Sequence, residues 1–143
     1  MARIAARAAA VQMVYESMMG GEGGEETLHG LIGLEPEAVD QAFIDEILAG
    51  VQEKQDDLDA KIGQNLKDWS LDRISRVSLA VLRVAVYELD YMGDLPAAVV
   101  VNEAVTLAKR FDTPQAGKFV NGVLSAVLRM DGQEAETAPD EAQ

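Results

Sequence analysis

Two basic clusters, each with an aromatic residue beside it, flank one short turn in the second half of the sequence. Lys109-Arg110-Phe111 precedes the turn Asp112-Thr113-Pro114, and Lys118-Phe119 follows it. Lysine and arginine can hold phosphates, and bases can stack on aromatic rings, although each phenylalanine alone is more typical of a core position. A helix that begins at Pro114 would also point free backbone amides at the turn. The spacing therefore indicates a small anion site, with Gln115 beside it, that suits RNA.

The residue types that catalysis or metal binding requires are scarce. The chain has no cysteine, which excludes disulfides, thiolate metal sites and cysteine nucleophiles. The single histidine, His29, lies near the glycine-rich stretch 20–24, which lacks the Lys-Ser/Thr of a phosphate-binding loop. Asp56, Asp57 and Asp59 resemble calcium ligands only superficially, because the turn glycine and terminal glutamate of an EF-hand are missing. We therefore expect no catalytic residue, no metal and no cofactor.

A second polar feature is Asn102-Glu103, which stands between Val99-Val100-Val101 and Ala104-Val105. Buried polar groups must be paired, and Arg83, within the preceding apolar stretch, is a candidate partner for Glu103. The alternative is a structural polar pair or a partly exposed helix edge, and we favour this alternative.

The net charge of −13 argues against binding of nucleic acid, but the charge is unevenly distributed. Residues 1–59 carry 13 acids and 3 bases, residues 60–130 carry 7 acids and 9 bases, and residues 131–143 carry 5 acids and no base. The second half of the folded region is therefore slightly basic. A protein this acidic binds polyanions poorly on its own, so we expect a small RNA patch and a helper protein.

The hydrophobic pattern is helical throughout, which predicts an all-α fold. Helices are expected at 3–19, 27–34, from Pro36 to Trp69 with a bend near Gly63, and at 71–92, 96–111 and 114–129. The helix at 71–92 is apolar on nearly every face and should lie at the centre of the bundle, with Ser70 as its N-cap. Gly93-Asp94 should end it, and Thr113 should cap the last helix, in which Gly122 indicates close approach of another helix. Residues 131–143 form an acidic tail that we expect to be disordered.

Three blocks of the sequence resemble the signatures of the NusB family in order and spacing. They are Asp72 to Leu89, Val101 to Phe111, and Lys118 to Leu124. Ala10-Val11-Gln12 with Tyr15 is similar to the N-terminal helix of the family, so the resemblance covers residues 3–129.

The resemblance implies a NusB-type helical bundle of two packed subdomains over residues 1–130. It also implies a function as a transcription antitermination factor that pairs with the ribosomal protein NusE and binds boxA RNA. The assembly helps RNA polymerase to transcribe ribosomal RNA operons. A homodimer is a further state open to the free protein. We expect it to be cytoplasmic, because no apolar run is long enough to span a membrane and no signal peptide is evident.

The resemblance also assigns surfaces. The family's N-terminal arginine-rich segment, its main contact with RNA, corresponds to Arg3 and Arg7. Its loop and the start of its last helix, which border the RNA, correspond to Thr113 to Phe119. The NusE surface lies on the central part of the second subdomain, where we expect contacts from a set of arginines and tyrosines. These are Arg76, Arg83, Tyr87 and Tyr91.

The sequence departs from the family pattern at several of these positions. Uncharged residues such as Ile4 stand where relatives often carry further charges, and Ser78-Leu79 replaces a pair that is commonly charged. Asp112 stands where glycine usually ends the helix, and Ala116 where serine is common. Fewer cations release fewer counterions, so we expect weak RNA affinity until NusE is bound.

Two other interpretations remain open. One is a purely protein-binding module that has lost its contact with RNA. The other is a part of a ribosomal RNA cytosine methyltransferase, since some of these enzymes carry a NusB-like domain. Such an enzyme needs a cofactor-binding sheet and catalytic cysteines, and this sequence contains no cysteine.

Overall fold

The computed structural model describes residues 2–20, 38–67, 70–93 and 95–132, and all regular structure in these ranges is helical. The helices are α1 (Ala2–Met18), α2 (Ala38–Glu53), α3 (Gln55–Gln64), α4 (Arg76–Tyr87), α5 (Ala97–Phe111) and α6 (Pro114–Met130). A 3₁₀ turn, Leu71–Arg73, precedes α4, and a π-helical turn, Glu88–Met92, extends it. The predicted helix at 27–34, His29, Trp69 and tail residues 133–143 lie outside the described residues.

Helix α4 is the centre of the molecule, as its apolar sequence predicted. It contacts α1, α2, α3, α5 and α6, and every residue from Ser78 to Tyr87 is buried. Helices α1 and α2 pack together on one side of α4, while α5 and α6 pack together on another. A helix that is apolar all round is stable only when neighbours cover it, and here two helical pairs provide that cover. The all-α bundle with two subdomains on a shared core is therefore confirmed.

The predicted end of the central helix and the predicted start of the last helix are also confirmed. Gly93 ends the π-helical turn with a φ of 69°, a left-handed conformation that glycine adopts without strain. The Oγ1 of Thr113 accepts a hydrogen bond of 3.0 Å from the backbone N–H of Ala116, and Pro114 occupies the first position of α6. Proline is well placed there because that position has no intrahelical partner for an N–H.

Three details of the helix predictions were wrong. The long helix breaks at Lys54 and not near Gly63, which lies within α3. The cap of α4 is Ser75, whose Oγ accepts from the backbone N–H of Ser78 at 2.9 Å, while Ser70 precedes the separate 3₁₀ turn. A Cβ added at Gly122 would meet nothing within 4 Å, so no neighbouring helix requires this glycine.

Candidate nucleic-acid interface

The last turn of α5 and the first turns of α6 bring the predicted anion-binding residues to one corner of the molecule. Lys109, Arg110, Gln115 and Lys118 are all exposed there, and we call these four residues the basic corner. The capped start of α6 fixes the direction in which this helix leaves the turn. The two basic clusters, which are separate in sequence, are therefore neighbours on the surface.

A glycine allows the two helices of this corner to meet closely. The side chain of Lys109 lies across Gly117, where an added Cβ would stand 2.6 Å from the Cγ and 2.8 Å from the Cε of the lysine. A larger residue at this position would displace the aliphatic chain of Lys109. Gly117 therefore helps to hold the Lys109 ammonium group on the α6 side of the corner.

The two aromatic residues of the predicted site are only partly available. Phe111 and Phe119 are both half-buried and pack against the hydrophobic core. The guanidinium carbon of Arg110 lies 5.2 Å from the centre of the Phe111 ring, within the range of a cation–π contact. Both phenylalanines therefore pack against the core, as their residue type favoured, and both remain partly exposed.

Both acidic residues of the α5–α6 region are engaged in internal contacts. Asp112 accepts hydrogen bonds from the hydroxyls of Ser75 and Ser78, the latter at 3.0 Å, at the start of α4. Glu103 is paired with Arg7 at 3.2 Å. Ser78 and Asp112 both depart from the family pattern, and the structure shows that they contact each other. The contacts draw carboxylates towards the protein and leave the cations of the basic corner without an ion pair to any described acid.

Arg7 has a different place from the one expected of an RNA contact. It is 3% exposed, its Nε lies 2.6 Å from Glu88 and its guanidinium carbon lies 5.4 Å from the centre of the Phe43 ring. Burial opposes the charge, but hydrogen bonds and attraction from Glu88 and Glu103 outweigh it and raise the pKa of Arg7 above its ordinary value. Arg7 was expected to be an exposed contact with RNA, and the structure corrects this expectation. The side chain is buried and joins α1 to the end of α4 and to α5 through its ion pairs. The backbone of Arg3 lies in the first turn of α1.

The predicted partner of Glu103 was also wrong. Arg83 instead donates from its Nε and its Nη2 to the two carboxylate oxygens of Asp59 in α3, each at 2.8 Å. Glu103 is instead bound by Arg7, and Asn102 is exposed. The partly exposed helix edge was the correct interpretation of Asn102-Glu103.

Of the four residues expected to bind the protein partner, Tyr91 is the most accessible. It is 43% exposed, stacks on Tyr87 with ring centres 5.2 Å apart, and receives the ammonium group of Lys54 at 5.3 Å from its ring centre. Tyr87 itself is buried, which raises the pKa of its phenol, and its ring covers Gly50, where an added Cβ would lie 2.1 Å from Cζ. Tyr87 was expected to contact the partner protein directly, and its burial corrects this expectation. Its ring packs against the ring of Tyr91 instead.

The two arginines of that set are tied to the protein. Arg83 is buried and paired with Asp59, so the expectation that its guanidinium faces a partner is also corrected. Arg76 is half-buried and donates to the backbone carbonyls of Leu71 and Ile74, the latter at 3.0 Å. It therefore secures the 3₁₀ turn before α4 and keeps only part of its surface free.

Other kinds of site find little support in the described residues. No group of three or more His, Cys, Asp or Glu within these ranges could hold a metal ion. Asp56 and Asp57 are exposed on α3, and Asp59 is committed to Arg83. No helix in the described part of the chain is long and apolar enough to cross a membrane.

Comparisons with known proteins agree with this architecture. The transcription antitermination protein NusB of Clostridium novyi is 35% identical over 132 residues, which cover 90% of this chain and 99% of the relative. A solved structure of T. maritima NusB has a TM-score of 0.77 at 31% identity and covers 97% of this chain and 94% of that chain. A structure of the antitermination factors NusB and NusE in complex with dsRNA has a TM-score of 0.77 at 26% identity, covering 90% of this chain and 97% of that one. The model of the NusB family matches residues 4–129, and the chain therefore belongs to the NusB family.

Proposed function

We propose that this protein is a transcription antitermination factor that joins NusE to boxA RNA and catalyses no reaction. The basic corner carries the proposal, because its three cations form no ion pair to a described acid, although the chain has a net charge of −13. The curated relatives are named as antitermination proteins, and one structural neighbour was solved with NusE and dsRNA. Support of RNA polymerase on ribosomal RNA operons is the role that this assembly would serve.

The electrostatics favour RNA binding in partnership with NusE. The basic corner has three cations, Lys109, Arg110 and Lys118, and Arg7 is engaged in the interior. Each phosphate that a cation neutralises releases counterions, so three cations support only a modest intrinsic affinity. The remaining charge of the chain repels RNA at longer range. We therefore expect NusE to supply a large part of the RNA affinity.

The surface around Tyr91 is the part that we assign to NusE. An exposed tyrosine supported by a second ring and a lysine is rigid and amphipathic, which suits the centre of a protein interface. The surface is formed by the π-helical turn at the end of α4 and by Lys54, which directly follows α2. Tyr91→Ala should weaken NusE binding by about tenfold, as is common for a central aromatic contact.

The decisive experiment is a titration of labelled boxA RNA with this protein alone and with its mixture with NusE. We expect the mixture to bind more tightly, and Lys109→Ala/Lys118→Ala to weaken its binding by about tenfold or more. The matched control is Lys67→Ala/Arg129→Ala, which removes the same charge from exposed positions outside the basic corner. The control should change the affinity by less than about twofold.

Three outcomes would contradict this proposal. Equal losses in both double variants would mean that net charge alone, and not the basic corner, determines binding. No RNA response with or without NusE would instead favour a module that binds only protein. Tight binding of boxA RNA by this protein alone at physiological salt would contradict the dependence on NusE.

A further inference from the structure

The acidic tail, residues 131–143, begins at the end of the helix whose first turns form part of the basic corner. The tail carries five acids and no base, and α6 itself contains no acid. Lys118 near the start of α6 and Lys109 and Arg110 at the end of α5 form no ion pair to a described acid. A run of negative charge therefore adjoins a helix that leads to available cations.

Gly132 marks the point at which the chain leaves the axis of α6. Its φ is 79°, a left-handed conformation that commonly ends helices, and its N–H donates to the carbonyl of Arg129 at 3.0 Å. Asp131, directly before it, is bound by Lys61 of α3 at 3.0 Å. Four more acids follow: Glu134, Glu136, Asp140 and Glu141. The position from which these four acids start is therefore fixed on the protein.

The tail is long enough to reach the basic corner along α6. Lys118 precedes Gly132 by 14 positions, which correspond to about 21 Å at a rise of about 1.5 Å per residue. Asp140 follows Gly132 by eight positions, and an extended chain of this length spans about 25–29 Å. Asp140 and Glu141 can therefore reach Lys118 and the neighbouring Lys109.

The exposed face of α6 between Lys118 and Gly132 carries small side chains. Gly122 is exposed, a Cβ added there would meet nothing within 4 Å, and Ser125 and Ala126 are half-buried. Steps of three and four residues keep these positions on one face with Lys118. Glycine weakens the interior of a helix relative to alanine, and no described neighbour requires it here. An extended segment can therefore lie close to the backbone of α6 on its way to the basic corner.

The α2–α3 pair is a poor alternative for an acidic segment. Its exposed positions carry several carboxylates, among them Asp45, Asp56 and Asp57. Its lysines already have partners, because Lys54 lies over an aromatic ring and Lys61 binds two acids. Like charges repel an acidic segment from this surface, whereas the cations of the basic corner attract it. Charge therefore favours the α5–α6 pair as the docking surface.

We propose that the acidic tail docks along α6 onto the basic corner and competes there with RNA. The docking needs only this chain, whereas the competition rests on the proposed RNA-binding function. A tethered segment has an effective concentration of about millimolar, so a few weak ion pairs are enough to populate the docked state. A tail that is docked for about three quarters of the time lowers the apparent RNA affinity about fourfold.

Paramagnetic relaxation enhancement tests the docking without RNA. The chain has no cysteine, so Gln143→Cys provides a single site for a spin label in the full chain. We expect the label to broaden the amide signals of Gly117 and Lys118 more strongly than those of α3 at low salt. The difference should disappear at high salt, because solvent ions screen the attraction. Equal broadening of α3 and α6, or a difference that persists at high salt, would overturn the docking.

Two sets of substitutions in the spin-labelled chain locate the contact. Glu136→Gln/Asp140→Asn/Glu141→Gln, which we call the tail variant, should remove the additional broadening. Lys109→Ala/Lys118→Ala should remove it as well, and broadening that survives either change would contradict the docking. Spin-labelled protein mixed with isotope-enriched protein that has no label should show no broadening. Broadening in this mixture would reveal contact between two copies and overturn docking within one chain.

The competition is tested by titrating labelled boxA RNA with the tail variant and NusE. The tail variant should bind about fourfold more tightly than the wild type. The matched control, Asp45→Asn/Asp56→Asn/Asp57→Asn, removes the same charge from exposed positions of α2 and α3 and should change the affinity by less than about twofold. Circular dichroism should show unchanged helix content in both triple variants.

The two measurements separate the possible failures. Equal gains in the tail variant and in the matched control would mean that net charge alone acts, and would overturn the competition. Docking in the relaxation measurement without a gain in RNA affinity would overturn the competition as well. Failure of the wild-type complex to bind RNA would overturn the proposed function, while the relaxation measurement would still decide whether the tail docks.

Discussion

Two pairs of consecutive helices, α2–α3 with Lys54 between them and α5–α6, carry charge in opposite arrangements. In the pair α2–α3, several acids face the solvent, whereas both lysines are engaged: Lys54 lies over the Tyr91 ring and Lys61 bridges Asp90 and Asp131. In the pair α5–α6, the basic side chains face the solvent, and Glu103 and the adjoining Asp112 are held by internal partners.

This difference teaches that a net charge of −13 says little about any one surface. In each pair, the less frequent sign of charge is held in internal contacts, so the more frequent sign dominates what an approaching molecule meets. Local charge steers and holds a polyanion, because solvent ions screen charges beyond about 8–10 Å. This charge distribution supports the proposal that the α5–α6 pair binds RNA on a protein that repels it elsewhere.

The largest effect should come from removing the cation that holds Glu103. Arg7→Met would leave Glu88, which is 4% exposed, as a buried carboxylate without its main partner. We expect the free energy of unfolding to fall by about 3–5 kcal/mol, the usual cost of breaking a buried ion pair from one side. Urea unfolding followed by circular dichroism would measure the loss.

The control for Arg7 is Arg129→Met, at an exposed position near the end of α6, which should change the stability by less than about 0.5 kcal/mol. Arg7→Met/Glu88→Gln should recover part of the loss, because the remaining side chain is neutral. A loss as small as that of Arg129→Met would show that Arg7 is not the buried link between the helices.

The second effect is on the salt dependence of RNA binding. For single-stranded RNA, the slope of log affinity against log salt changes by about 0.7 for each phosphate contact. Lys109→Ala/Lys118→Ala should therefore make the slope shallower by about 1.4, measured with the NusE mixture over a series of salt concentrations. Lys67→Ala/Arg129→Ala should leave the slope unchanged, and an equal change in this control would remove the distinction between the two helical pairs.

A third effect should follow when Asp112 loses one of the two hydroxyls that hold it. Ser75→Ala removes both the N-cap of α4 and one donor to Asp112, and it should lower the free energy of unfolding by about 1 kcal/mol. The Asp112 carboxylate, then held by the Ser78 hydroxyl alone, lies next to Phe111 in the turn of the basic corner, so RNA affinity should fall as well. Ser75→Ala/Asp112→Asn should recover RNA affinity but not the stability lost with the cap. Recovery of neither would contradict this role for Asp112.

The sequence was sufficient to predict features that depend on neighbouring residues. The apolar α4, the end of its extension at Gly93 and the Thr113-Pro114 start of α6 follow from local patterns and were correct. The basic corner also followed, because a short turn necessarily brings Lys109 and Lys118 close. These are effects within one helix or between two consecutive helices, where the chain itself limits the separation.

The partners of the arginines could not be predicted in this way. Arg7 and Glu88 are 81 positions apart, and Arg83 had two candidate acids, Asp59 and Glu103, with no local signal to separate them. Burial decides whether an arginine forms internal ion pairs or remains available to a ligand, and burial depends on how three helices pack together. The break at Lys54 likewise lacks a proline or glycine at the break itself that would indicate it.

The smallest effect tests the engaged cation of α3. Lys61 binds Asp90 at 2.8 Å and Asp131 at 3.0 Å, and so joins α3 to the π-helical turn and to the end of α6. Burial lowers the pKa of Lys61, but the hydrogen bonds to both acids outweigh it and raise the pKa above the ordinary 10.5. A lysine with a raised pKa stabilises the fold fully below its unfolded pKa and loses this contribution as pH rises through the folded value.

Lys61→Met should therefore lower the free energy of unfolding by about 1 kcal/mol at pH 7, with a difference from the wild type that shrinks only above about pH 10.5. Lys67→Met, which removes an exposed lysine with no ion pair to a described acid, should show no such pH-dependent difference in urea unfolding. A Lys61→Met difference that stayed constant through the alkaline range would mean that the aliphatic chain of Lys61, and not its charge, stabilises this junction.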